Sequence, residues 1–300
     1  MDELTRAYYE EKYTSTYLKF KGNEFQDFFA SLMGKCFPGD FQRVRPWGNS
    51  GDKKNDGYLR SKRKLFQVYA PNEMDEAKAL VKIDEDFSGA LPYWQDYFDE
   101  WVFVHNSFIG LGPGITKKLL SLADQNKPLR VLPWGYEELR QELFHLTDSN
   151  IASLLGPAPT QRNFSNVRFG ELRKVVMTIA RQNPSPSQNI RPVPADKLSA
   201  NALSQSVQIL LAAGMRKADL VNSFFQSWYD PRLGDQIAET FKQKYNALRN
   251  ENLPPDLIFT KLRWFAGGEQ QDGPDHDVAV LAVLAYFFEQ CDIFEAPLKV

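Results

Sequence analysis

Three oxygen-bearing residues stand in an order that suits a divalent cation: Glu24 in a segment with an apolar stripe, Asp56 at the start of a short strand, and Gln67 on the strand that follows. Carboxylate and amide oxygens are the ligands that Mg²⁺ or Mn²⁺ prefers. Gly51-Asp52-Lys53-Lys54-Asn55-Asp56-Gly57-Tyr58-Leu59 reads as a turn and then a strand that opens with an acid. Leu65-Phe66-Gln67-Val68-Tyr69-Ala70 reads as a second strand with one polar residue among apolar ones. A metal held between them can polarise a phosphoryl oxygen and activate a water, and a lysine can orient that water or offset charge. Lys53 and Lys54 are the nearest cations, Lys64, Lys78 and Lys82 lie further along the chain, and Asp52 and Glu73 are reserve ligands.

Each residue also has an ordinary structural use. Asp56-Gly57 makes a turn if the aspartate bonds its own backbone, Gln67 can be satisfied by its neighbours, and Glu24 suits the start of a helix. It is the combination that points to chemistry. Net charge is −2, yet residues 35–64 carry nine Lys or Arg against three Asp. Arg43, Arg45, Arg60, Lys62, Arg63 and Lys64 are therefore candidates for phosphate contact, and a solvated hairpin edge is the alternative.

The elements that must position these groups follow from periodicity. Phe25, Phe28, Phe29, Leu32 and Met33 form one helical stripe within 23–35. Strands are expected over 41–47, 57–59 and 64–70, with a basic turn at 60–63 joining the last two. Helices over 73–83 and 91–100, a buried strand at 101–104, a helix at 115–124, a strand at 129–132 and helices at 136–146 and 148–155 complete a mixed sheet flanked by helices. Leu155-Gly156-Pro157-Ala158-Pro159 marks a boundary. The expected division is an α/β domain over 1–157, a linker with one helix (169–181) over 158–194, and a mostly α-helical domain over 195–300. In that last part, Gly214 reads as a helix C-cap and Asp230-Pro231 as a helix start. Asp275 or Asp277 reads as a cap on the apolar helix 278–288, and His276 as a solvated cap.

Other chemistries have less support. His105, His145 and His276 show no zinc-type spacing, and His105 is placed at a sheet edge. Gly110-Leu111-Gly112-Pro113-Gly114 precedes a helix but lacks phosphate-loop spacing; a nucleotide site over 101–118 remains a rival. Cys36 and Cys291 make no disulfide framework, so a reduced, cytoplasmic setting is expected. The N-terminus has no apolar core for a signal peptide. The apolar run 278–288 is too short for a membrane span, which takes roughly 20 residues.

Gly51–Asp56 and Phe66-Gln67-Val68-Tyr69 together resemble the PD-(D/E)XK nuclease superfamily, particularly its Mrr-like branch, with Tyr69 standing where that branch has a lysine. The resemblance implies a restriction-endonuclease-like fold, metal ligation by Glu24, Asp56 and Gln67, and cleavage of DNA. A fold that has lost its lysine and serves as a DNA-binding or assembly scaffold is the alternative. Asp196-Lys197-Leu198, Asn201-Ala202-Leu203-Ser204, Ser227-Trp228-Tyr229-Asp230-Pro231 and the closing 283–295 segment resemble C-terminal domains of effector subunits in bacterial ABC-three-component (Lamassu-like) anti-phage systems. That resemblance implies partners: a small middle subunit and an SMC-like ATPase that hold the effector inactive. Cutting two DNA strands would favour a homo-oligomer. Phe224, Phe225, Trp228 and Tyr229 are read either as core or as a docking surface.

Overall fold

The computed structural model describes residues 1–44, 53–181, 201–268, 273–290 and 294. It separates into two compact units, Ser15–Gly156 and a second made of Met1–Thr14 with Pro157–Val300. The cut falls at Gly156, beside the expected boundary, but residues 1–14 group with the helical unit. The 161–180 region, within the expected linker, carries two helices and is grouped with that unit.

In the first unit, α2 (Gly22–Cys36) precedes β1 (Phe41–Arg43), β2 (Gly57–Leu59), β3 (Lys64–Tyr69), α3 (Glu76–Trp94), β4 (Glu100–His105), α4 (Pro113–Gln125), β5 (Arg130–Trp134), α5 (Tyr136–Phe144) and α6 (Asp148–Leu155). α1 (Glu3–Lys19) opens the chain, and the division between units falls within it. The five strands lie in the order β1-β2-β3-β4-β5; the β1–β2 and β2–β3 pairs are antiparallel, and β3–β4 and β4–β5 are parallel. Helical crossovers α3 and α4 make the parallel pairs possible.

β3 and β4 are covered on both faces. Leu65, Trp101 and Phe103 pack with Ile83 and Phe87 of α3 and with Ile115 and Leu119 of α4. Phe66 turns the other way and meets Phe29 of α2 at 5.4 Å and Trp134 at 5.3 Å between ring centroids. Two helices were expected across 73–100; one long helix forms instead. Ala79, Ile83, Phe87 and Ala90 keep a single buried stripe through it, and Pro92 falls only in its last turn.

The described residues of the second unit hold helices and no strand. They are α7 (Gln161–Asn166), α8 (Phe169–Ala180), α9 (Gln205–Met215), α10 (Ala218–Ser227), α11 (Leu233–Asn250), α12 (Pro255–Arg263), a π-helical turn at Trp264–Gly268, and α13 (Pro274–Glu289). Residues 278–285, 287 and 288 of α13 are all buried, as the apolar run required, with α8, α9 and α10 packed against it. Gly214 lies inside α9 and is not a C-cap: a Cβ there would stand 2.4 Å from the Leu281 carbonyl oxygen. Gly214→Ala is expected to cost about 1–3 kcal/mol through overpacking, read as a lower urea midpoint with an unchanged slope.

His276 is buried, its Nε2 3.0 Å from the Gly267 carbonyl oxygen, so it is not the solvated cap expected from its aspartate neighbours. Asp277 is buried too: it accepts from Tyr8 Oη at 2.8 Å and pairs with Arg263. Arg263, 1% exposed, also pairs with Glu11 and lies over the Tyr8 ring at 5.6 Å. An arginine thus joins two buried acids from opposite ends of the sequence. Burial, and then the charge of Asp277, raise the Tyr8 phenol above its ordinary range.

Candidate functional site

The segment that leads into β2 is under backbone strain. Lys53 and Lys54 both have left-handed φ, 54° and 60°, a conformation that costs about 1–3 kcal/mol for such residues. Specific partners hold it. The Trp94 indole N–H donates to the Lys53 carbonyl at 3.1 Å, and Lys54 Nζ reaches Asp86 Oδ1 at 3.0 Å. Asn55 is fully buried and accepts the Gly57 N–H at 2.8 Å, an Asx-type turn.

Asp56 then brackets Gln67. Its N–H donates to the Phe66 carbonyl at 2.9 Å and its Oδ2 accepts the Val68 N–H at 2.7 Å. The carboxylate takes over a ladder bond where β2 pairing ends. Gln67 is 5% exposed, and its Oε1 is buried with no hydrogen-bond partner among the described residues. An acceptor so placed is costly unless a donor or cation meets it.

Strand alternation puts Gln67 on the face of Leu65 and Tyr69, the side that α3 covers. On α3, Asp86 is fully buried, and one of its oxygens takes both Lys54 and Lys82, at 3.0 and 2.7 Å, while Oδ2 has no hydrogen-bond partner among the described residues. The side chains of the two lysines remain 37% and 34% exposed. Asp86 was missed in the sequence. Its signal was an acid within the buried stripe of α3, four residues after a lysine.

The other candidates lie elsewhere. Glu24 is exposed on α2, in an open groove of about 410 Å³ with Phe20, Asp27 and Lys35. α2 covers the Phe66 face, opposite Gln67. Lys64 pairs with Glu100 at 2.8 Å and lies over Trp134. Lys53 Nζ is 4.4 Å from the Tyr93 ring centroid. Arg43 pairs with Asp27, and Arg63 binds Asp99 at 2.8 Å and the Asp96 carbonyl at 2.9 Å. Arg60 and Lys62 are exposed on the turn between β2 and β3. Arg45 and Asp52 lie outside the described residues. Among the described residues, no group of three or more His, Cys, Asp or Glu is arranged to hold a metal ion. Tyr69 packs on Phe103, and its phenol is raised first by burial and then by the charge of Asp75, so it stays neutral near pH 7.

The glycine-rich loop before α4 is filled by the protein itself. The Gly114 N–H donates to Glu76 Oε2 at 3.2 Å, and a Cβ at Gly112 or Gly114 would strike that carboxylate. An internal anion takes the position that a nucleotide phosphate would need, which weighs against the rival site over 101–118.

His105 ends β4, a strand with neighbours on both sides, and is not at a sheet edge. It is 4% exposed, packs beneath Gly135, and its Nδ1 accepts the Ser107 N–H at 3.3 Å. Burial pulls its pKa from 6.5 down to about 4, against the opposing charge of Glu138. The unfolded chain takes up this proton near pH 6.5 and the folded protein only near 4. Stability from the neutral ring is therefore complete above about pH 6.5 and is lost as pH falls toward 4, on the order of 3 kcal/mol in all. His105→Asn, whose Oδ1 can still accept from Ser107, is expected to flatten the stability profile across that window in urea titrations.

This geometry defines an α/β unit in which Asp56 bonds to both neighbours of Gln67 while Lys54 and Lys82 share Asp86, joined in the same chain to a helical unit. Residues 170–295 match the family model described as C-terminal domain 10 of the ABC-three component (ABC-3C) systems, which supports membership of the chain in such a defence system, with its other subunits as partners. No curated protein and no solved structure matches the chain. Among the described residues, no helix is long and apolar enough to cross a membrane.

Proposed function

We propose that the chain is the effector subunit of an ABC-three-component system and that its α/β unit is a restriction-endonuclease-like, metal-dependent DNase. The observation that carries this reading is Asp56 bonded to both neighbours of a buried Gln67 whose Oε1 lacks a hydrogen-bond partner among the described residues. Mg²⁺ keeps several waters and needs only one or two protein oxygens beside its substrate, so the Asp56 carboxylate and Gln67 Oε1 fit it. When bound, the ion would polarise the phosphoryl oxygen and lower the pKa of a bound water.

The chain's own residues supply the rest. Lys54 and Lys82, aligned on Asp86, provide the positive charge that Tyr69 cannot. Asp86 fixes both ammonium groups, and their partial exposure leaves them able to neutralise a phosphate. Arg60 and Lys62 would meet the DNA backbone. Partner subunits, an SMC-like ATPase and a small middle component, would restrain the enzyme, and paired cuts would require at least two copies.

A second reading, a non-cleaving scaffold, is favoured by the position of Glu24 across the sheet from Gln67, which leaves the pair without that third ligand. The two are separated by incubating plasmid DNA and Mg²⁺ or Mn²⁺ with the chain, alone and with its co-expressed partners. Linearised plasmid supports the nuclease. Intact plasmid in every mixture, with the complex assembled, supports the scaffold.

A further inference from the structure

A second feature lies beside this junction, at the C-terminal end of α3. Tyr93 and Tyr97 are 54% and 56% exposed. Half-buried rings support them: Trp94 stacks on Tyr58 at 6.5 Å and meets Tyr97 edge-on at 6.4 Å, and Tyr58 Oη donates to the Tyr97 carbonyl at 2.6 Å. The strained Lys53 places its ammonium over Tyr93, and Trp94 clamps the Lys53 carbonyl. The exposed turn bearing Arg60 and Lys62 is tied to the same place, because Arg63 binds Asp99 and the Asp96 carbonyl. Asp99, in the segment that follows α3, is thereby paired, and Asp96 is the other acid of that segment.

We propose that this surface binds single-stranded DNA, with bases stacked on Tyr93 and Tyr97 and the backbone running past Lys53 toward Asp56. Every base offers a π-face, but a duplex hides those faces in its own stack, so exposed rings beside cations select an unpaired strand. Lys53 and Asp56 are three residues apart, so their backbones are separated by no more than about 10 Å. A strand held on the rings therefore has its phosphates near the Asp56–Gln67 pair. The proposal deepens the DNase reading by naming its substrate class, and binding is measured without metal so that it fails or stands apart from cleavage.

The test is fluorescence anisotropy of the full chain in EDTA, with a labelled strand of about 16 nucleotides, its duplex, and RNA of the same sequence. The single DNA strand is expected to bind about tenfold tighter than the duplex. Tyr93→Ala and Tyr97→Ala are each expected to weaken it by about tenfold. Lys53→Asn tolerates the left-handed backbone but loses the charge; it is expected to reduce the slope of log affinity against log salt by about one. Asp96→Asn is expected to tighten binding, and Tyr229→Ala, an exposed tyrosine of the other unit, to change nothing. Melting temperatures confirm that each variant folds. No binding by the wild type, equal affinity for strand and duplex, or tyrosine variants that bind normally would overturn the proposal, and tighter binding of RNA would overturn its DNA assignment.

Discussion

Asp56→Asn is expected to lower metal-dependent plasmid cleavage by the assembled system at least about 10²-fold while the protein stays folded. Asparagine keeps an oxygen that can accept the Val68 N–H, so the bond that anchors residue 56 to β3 survives. What disappears is the negative charge beside Gln67. Stabilisation of transition-state charge by a metal is worth several kcal/mol, and each 1.36 kcal/mol is tenfold in rate, so losing the acid proposed to hold that metal would be felt in the chemical step. Cleavage rates at saturating DNA, over a series of Mg²⁺ and Mn²⁺ concentrations, make the check. A loss of cleavage with unchanged metal-free DNA binding supports the role given to Asp56. Undiminished cleavage by Asp56→Asn would remove the junction from consideration as the active centre.

The second large effect lies in the helical unit. Arg263→Met is expected to destabilise that unit by about 3–5 kcal/mol, because it strands Glu11 and Asp277, both almost fully buried, without their countercharge. For a unit of this size, that corresponds to a fall in Tm of roughly 6–20 °C. Removing the acids as well tests the cause. In Arg263→Met/Glu11→Gln/Asp277→Asn the cluster carries no charge, and much of the loss is expected to return, since a well-packed neutral replacement of a buried ion cluster is often no less stable than the original. Differential scanning calorimetry of the two variants decides it. Equal losses in both would mean that packing around the arginine stem, and not charge pairing, carries the stability. Because Glu11 lies on α1, the Arg263 variant is also expected to loosen the N-terminal turns, seen as faster amide exchange.

Legibility in the sequence varied with the range of the interaction that fixes each feature. The α2 stripe, the β2–β3 hairpin and the buried α13 were readable because their signals are local periods of 3.6 or 2. The Asp56–Gln67 adjacency was readable for a similar reason: a short hairpin leaves few ways to place its two strands. The unbroken α3 was missed because Gly89 and Pro92 suggest a stop, whereas burial against Trp101 rewards continuing the stripe. Gly214 was misread because a glycine near a helix end looks the same as one demanded by a crossing neighbour.

The sequence by itself determined the order of the five strands, the hairpin that brings an acid to an amide, and a helical second half in which one helix carries a long apolar run, since alternation and helical spacing are written in neighbouring residues. Tertiary structure alone decided where the lysines end, drawing Lys64 to Glu100 while Lys54 and Lys82 converge on Asp86. It also set Glu24 across the sheet from Gln67, buried His105 and His276, and carried residues 1–14 into the helical unit. Those outcomes depend on which faces pack together and on where a buried charge finds its partner, and partners such as Glu11 and Arg263 meet only when distant segments fold onto each other.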